Sequence, residues 1–324
     1  MKLMVCGLVV ACSVSVAAQW PKIVDPSIPR DAQGRVRADA PPPRTADGKP
    51  DLSGMWMRAN SAQPGRGGRS AAGQAQGGRA AAAGGNAAAP ATGDGPQPGG
   101  AGRAGTVQLE PATAPFPFDP NGPPVATFFE AGANMEGGLP YTPWAAELRK
   151  QRLALGARDN PDAMCMPMGF LQFHQQPQPR KIIQTPKMIL IEYEANYGLR
   201  HIYIDGRPLP PQGEPQPWWY GYSVGRWEGD TLVVETNNLR GAEDGPYDGW
   251  MDVNGSPYSN QARFTERFRR PTFDHLQIDL TIDDPKAYTK PWTVRVDQRL
   301  LPDQELIEFI CNENQQFRKR IKID

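Results

Sequence analysis

Histidine is the first shortage. The 324 residues hold three, His174, His201 and His275, and no two stand at a His-x-x-x-His spacing. A histidine-based metal centre needs ligands that one local element can aim at one ion, so none is expected. Asp279, Asp283 and Asp284 offer oxygen ligands for calcium, but a strand-ending turn before Pro285 accounts for them better. The chain also lacks a Cys-x-x-Cys pair, a Gly-rich phosphate loop and a Gly-x-Ser-x-Gly elbow. Those absences remove the common thiol-redox, nucleotide-binding and serine-hydrolase designs. No cofactor is expected.

Excess charge is missing too. Thirty-five Lys and Arg balance thirty-five Asp and Glu, so there is no electrostatic case for nucleic acid or an anionic membrane surface. Long apolar runs are absent apart from Leu3 to Val16, which is too short and too interrupted to span a bilayer comfortably. Lys2 precedes it, and Val16-Ala17-Ala18 follows it with the small residues a signal peptidase needs. Residues 1–18 therefore read as a secretory signal, leaving Gln19 first in the mature chain. A competing reading takes Val9-Val10-Ala11-Cys12 as a lipoprotein site with a lipid anchor at Cys12. Either way the expected location is periplasmic or secreted. The mature chain then keeps two cysteines, Cys165 and Cys311. In an oxidising compartment they form one disulfide most simply, the alternative being two reactive thiols.

Residues 19–60 are Pro-rich and polar, and Gly54 and Trp56 at their end can open a first strand with Trp56 plugging a core. From Ser61 to Thr106 there is no aromatic residue and no apolar side chain larger than Pro or Ala. Such a stretch buries too little to offset its ordering entropy, so 61–110 is expected to be a disordered Gly/Ala-rich insertion. The β domain is expected over 111–324. One amphipathic helix is legible: Thr142 caps, Pro143 fits the first position, Trp144, Leu148 and Leu155 recur at helical spacing, and Gly156 stops it. From Lys181 the period becomes two. Leu276, Ile278, Leu280 and Ile282 alternate with polar residues over 275–283, and 226–235 reads as a hairpin turning at Glu228-Gly229. Further strands are expected near 187–194, 199–205, 220–227, 262–270, 292–301 and 304–311. The fold class is mostly β: an antiparallel meander closing into a barrel, or a sandwich.

Four motifs, PRTADGKPDLSG (43–54), RHIYIDGRP (200–208), GRWEGDTLVVET (225–236) and TERF (265–268), occur in this order. Together they resemble a family of secreted bacterial proteins of uncharacterised activity, whose members carry them after a signal peptide. The resemblance implies an envelope location and a shared β fold, and it assigns no catalytic residue. Members often have His-Ser ahead of the Thr-Glu-Arg strand, where this chain has Tyr258-Ser259. Gly54-Met55-Trp56 also resembles the opening of lipocalin-type barrels.

Three candidate constellations follow. On a strand over 199–205, His201, Tyr203 and Asp205 share a face, opposite Arg200, Ile202 and Ile204. They could supply base, proton donor and orienting carboxylate, or form an ordinary solvated face with the isoleucines in the core. Glu266 stands between Phe264 and Phe268 on one face of its strand. It is either buried with a cation, Arg295 or Arg207 being candidates, or sits in a pocket with a raised pKa. Trp218, Trp219, Tyr220 and Tyr222 can form a stacking platform beside Gly221 and Gly225, with Arg207 as a further ligand-binding candidate, or partly fill the core. Trp250 and Trp292 are expected in the core.

The leading expectation is an exported β-barrel module binding a small apolar or carbohydrate-like ligand through the aromatic patch and the Glu266 face. The alternatives are an envelope lyase, isomerase or hydrolase using Glu266, His201, Tyr203 or Asp205, and a structural envelope protein. A cavity uniting Glu266 with His201 or Asp205 would favour the enzyme; aromatics alone would favour binding.

Overall fold

The computed structural model describes residues 24–59 and 115–312. The expected signal segment, the Gly/Ala-rich insertion and residues 313–324 lie outside them. Residues 60–120 separate as a second unit, described only over 115–120; the rest of the described chain forms the first unit.

That first unit is a closed barrel of nine strands in sequence order. They are β1 (Gly54–Arg58), β2 (Arg180–Gln184), β3 (Met188–Tyr193), β4 (Gly198–Tyr203), β5 (Tyr222–Glu228), β6 (Thr231–Asn237), β7 (Arg263–Thr272), β8 (His275–Asp283) and β9 (Trp292–Leu300). β1 lies before the insertion and pairs with both β2 and β9, so it closes the barrel. Every neighbouring pair is antiparallel except β4 and β5, which run parallel. The barrel is therefore mixed, where a pure meander was expected. Residues 208–217 bring the chain back to β4 from the same end, and their prolines suit such an extended return.

The alternation expected for β8 holds: Leu276, Ile278, Leu280 and Ile282 are buried. The β5–β6 hairpin turns on Gly229 and Asp230, one residue later than expected, with Gly229 at φ +61°. The strand expected at 304–311 is absent; residues 301–312 form turns and coil. β2 begins at Arg180, one residue before the expected onset of the period of two.

The helix α1 (Pro143–Ala154) begins as expected, with the Thr142 side chain accepting from Ala145 N. Its buried residues are Ala145 and Arg152, however, and Leu155 is exposed. Arg152 stacks on Trp250 at 4.2 Å and donates to the carbonyls of Asp248 and Gly249. The helix is thus anchored by a buried cation, which a search for apolar spacing could not register.

Trp56 is fully buried, and Arg270 stacks over it at 4.8 Å while donating to the carbonyls of Asp51 and Phe273. A closed barrel opening on Gly54-Met55-Trp56 is compatible with the lipocalin-like resemblance. Two similar turns precede β1. Arg30 and Arg44 donate to the carbonyls of Gly34 and Gly48, four residues on in each case. Arg30 then pairs with Asp303, and Arg44 with Asp230 at 2.6 Å. The N-terminal segment is so clipped at two places, to the residues after β9 and to the β5–β6 turn.

The barrel centre is filled, so the Glu266 face offers no open site to a ligand. A short helix, α2 (Gln172–Gln175), is buried on all four residues; Phe170 stacks on Phe264 and His174 meets Phe268, both from β7, while Phe173 packs on Tyr193 and Tyr220. Arg180 holds this plug by donating to the carbonyls of His174, Gln176 and Gln178. Trp250 and Trp292 are buried, as expected.

Candidate functional site

Glu266 is 0% exposed and lies inside the barrel with its β7 neighbours Phe264 and Phe268. Its cation is Arg200, on the inner face of β4, and neither Arg295 nor Arg207. Arg200 Nη1 donates to Oε1 at 3.0 Å, and Nη2 donates to Oε2. Arg295 serves Asp279 instead, and Arg207 serves Asp205. A third member is His174, whose Nε2 lies 2.7 Å from Glu266 Oε1. The carboxylate can only accept, so Nε2 carries the proton. Arg200 further donates to Ser223 Oγ at 3.1 Å and Thr236 Oγ1 at 3.1 Å, which leaves its charge fully engaged.

The electrostatics follow from this packing. Burial alone would raise the Glu266 carboxyl, but the Arg200 charge and the His174 hydrogen bond outweigh it and draw the pKa down to about 2. Burial pushes His174 down to about 4 despite the carboxylate beside it, so its ring is neutral at pH 7. Both groups bind protons more readily in the unfolded chain, where the ordinary values are 6.5 and 4.5. Stability from His174 is thus complete above pH 6.5 and lost as pH falls toward 4; that from Glu266 is lost from 4.5 toward 2. Melting temperature should therefore fall between pH 7 and pH 4, and less steeply in His174→Gln. Parallel melting curves for the two proteins across that range would contradict the assignment.

Beside this ion triad, the barrel wall parts. β4 and β5 share only two rungs, Ile202 with Ser223 and Tyr203 with Val224. Toward the start of β4 the strands diverge, and a cavity of about 370 Å³ occupies the gap. Leu199, His201 and Tyr203 form one wall; Trp218, Trp219, Tyr220 and Tyr222 form the other; Arg200 and Ser223 lie at its floor. The aromatic wall is held by the backbone. Trp218 N donates to Asn238 O at 2.9 Å, and Arg240 N donates to Trp218 O at 3.0 Å. Gly221 turns the chain at φ +67°, where a Cβ would stand 2.6 Å from Thr236 Cγ2, so only glycine fits there.

The candidates divide clearly. His201 and Tyr203 reach the cavity with all four aromatic candidates. Asp205 and Arg207 brace its rim: Arg207 pairs with Asp205, lies 3.8 Å over the Tyr203 ring and donates to Tyr222 Oη at 3.0 Å. Tyr203 and Tyr222 stack at 5.3 Å, and Trp218 meets Tyr222 edge-on at 5.3 Å. Tyr220 points inward and stacks on Tyr193. Glu266 does not line the cavity; it lies behind Arg200. Ile202 is buried while His201 and Leu199 are exposed, so His201 and Tyr203 lie on the outer face of the barrel. No group of His, Cys, Asp and Glu among the described residues could hold a metal ion.

Compared with protein-family models, curated proteins and solved structures, the chain matches none. The resemblance to secreted bacterial proteins read from the four motifs gains no support from these comparisons. Three of these motifs meet around this site: RHIYIDGRP supplies Arg200, His201 and Tyr203, GRWEGDTLVVET supplies Thr236, and TERF supplies Glu266.

Sequence reasoning missed His174, Ser223 and Thr236. A four-residue helix gives no period to read, so His174 left no signal. Cys165 and Cys311 are bonded to each other with Cα atoms 5.5 Å apart, as expected, but Cys311 follows the last strand instead of belonging to it. Among the described residues no helix is long and apolar enough to cross a membrane.

Proposed function

We propose that this chain is an exported barrel module that binds a small, uncharged, apolar or carbohydrate-like ligand in the aromatic cleft between β4 and β5. One observation carries the reading: Trp218, Trp219, Tyr220 and Tyr222 converge with His201 and Tyr203 on one cavity of about 370 Å³, a size and lining suited to small ligands. The cation at its floor is already neutralised by Glu266, so a charged ligand meets no free counter-charge. Turnover is the weaker reading, because Glu266 is sealed behind Arg200 and does not share the cavity with His201. Export rests on the N-terminal pattern, with the Cys165–Cys311 bond in support.

The test is tryptophan fluorescence during titration with two uncharged probes, N-phenyl-1-naphthylamine and cellobiose. At least one should give a saturable change. Trp218 is 42% exposed, so Trp218→Ala should fold normally yet weaken binding about tenfold, the loss of roughly 1.4 kcal/mol of stacking. Binding unaffected by Trp218→Ala, or no response to either probe, would refute the reading.

A further inference from the structure

The open strand edge narrows the class of ligand. Residues 198–201 of β4 pair with β3 on one side. On the other side the ladder to β5 starts only at Ile202. Among the described residues, this half of β4 therefore has no strand partner facing the cleft. In a strand, every second residue turns its N–H and C=O to a given edge. Ile204 N donates to Lys187 O across to β3, so Leu199 and His201 turn theirs toward β5. The Ile202–Ser223 rung leaves Leu199 N–H, Leu199 C=O and His201 N–H outside the ladder, beside a cavity that Trp218 also lines.

We infer that the ligand is a neutral saccharide of one or two rings, with a ring face on Trp218 and hydroxyls bonded to the open edge of β4. This rests on the binding reading above and selects within it. An entirely apolar ligand would strip water from those main-chain groups without replacing it, at about 1–3 kcal/mol for each. A sugar ring has hydroxyls that donate and accept around its rim and C–H groups on its face. It can satisfy the edge and cover the indole together. Further hydroxyl partners are available at His201 and Tyr203, which line the same cavity. Charge argues the same way. Arg200, at the floor, spends its guanidinium on Glu266, Ser223 and Thr236, and no carboxylate lines the cavity. An anionic or cationic sugar gains nothing there over a neutral one. In size, 370 Å³ equals about a dozen waters at roughly 30 Å³ each, which accommodates a ring or two and not a long chain.

The experiment is titration calorimetry of the full chain against neutral hexosides, cellobiose, maltose and N,N′-diacetylchitobiose, with glucuronate and glucosamine as charged counterparts. It is paired with amide exchange over 198–201. At least one neutral sugar should bind, Trp218→Ala and Tyr222→Ala should each weaken it about tenfold, and amides of β4 facing the cleft should exchange at least tenfold more slowly when it is bound. Saturable binding of N-phenyl-1-naphthylamine with no sugar bound overturns this inference and leaves the binding reading standing. Tighter binding of a charged sugar, or sugar binding without protection at 198–201, also overturns it. Silence from every compound, the naphthylamine included, overturns both.

Discussion

Replacing Glu266 with Gln should lower stability by about 3–5 kcal/mol, the cost typical of breaking a buried pair from one side. The substitution keeps the shape and one acceptor, so any loss comes mainly from charge. Arg200 is then left ionised at 0% exposure among Phe170 and Phe173, with only neutral acceptors to face. A side chain so fully buried has little solvent screening to soften the effect. For a chain of this size that corresponds to a melting temperature lower by on the order of 10 °C, read by calorimetry or urea unfolding. Adding Arg200→Met should recover part of the loss, because removing both charges abolishes the desolvation cost as well as the attraction. Unchanged stability in Glu266→Gln, with activity or binding abolished, would mean that the carboxylate faces a ligand in some state and that the ion triad is not its role.

The Arg200–Glu266 pair was nearly legible from sequence. Alternation over 199–205 put Arg200 on the same face as Ile202 and Ile204, and alternation over 263–269 put Glu266 between two phenylalanines. A cation and an anion each stranded on an apolar face are complements. The step missing was long range: no period says which strands meet, so Arg295 and Arg207 stood as candidates beside the Glu266 face. Local rules also located the aromatic wall, since Trp218 to Tyr222 is dense in sequence and stays dense in space. They could not locate the cleft. It exists because β4 and β5 run parallel and separate after two rungs, and that pairing is set by the loop 208–217, whose path depends on Asn237 and Asn238. These two side chains donate to the carbonyls of Pro210 and Pro211. The plug was hidden for another reason: Gln172, His174 and Gln175 are polar types buried by their place in the barrel, against the tendency that composition encodes.

Removing the disulfide, by Cys165→Ser with Cys311→Ser, should cost about 4 kcal/mol while leaving the barrel assembled. The bond spans a sequence separation of 146, and cross-linking a loop of that length restricts the unfolded chain by roughly 4–5 kcal/mol. None of the nine strands depends on the segment it captures. Residues 301–312 form no strand, Ile307 and Ile310 are about half exposed, and the ties of this segment to the barrel include Leu301 N to Met55 O at 2.8 Å and Lys181 to Glu305 at 2.7 Å. β9 stays held by β1 and β8. The double variant should therefore keep its near-ultraviolet spectrum at 25 °C, unfold at markedly lower urea, and become open to proteolysis after Leu300. Loss of the near-ultraviolet spectrum would show that the tail organises the barrel instead of merely being tethered to it. The other end of the bond matters for the cleft. Cys165 sits at φ +56° two residues before Pro167, which lines the cavity, and five before Phe170, which packs on Phe264. Loosening it frees Pro167 at the cavity, so ligand binding in the double variant should weaken although every aromatic residue of the cavity is intact.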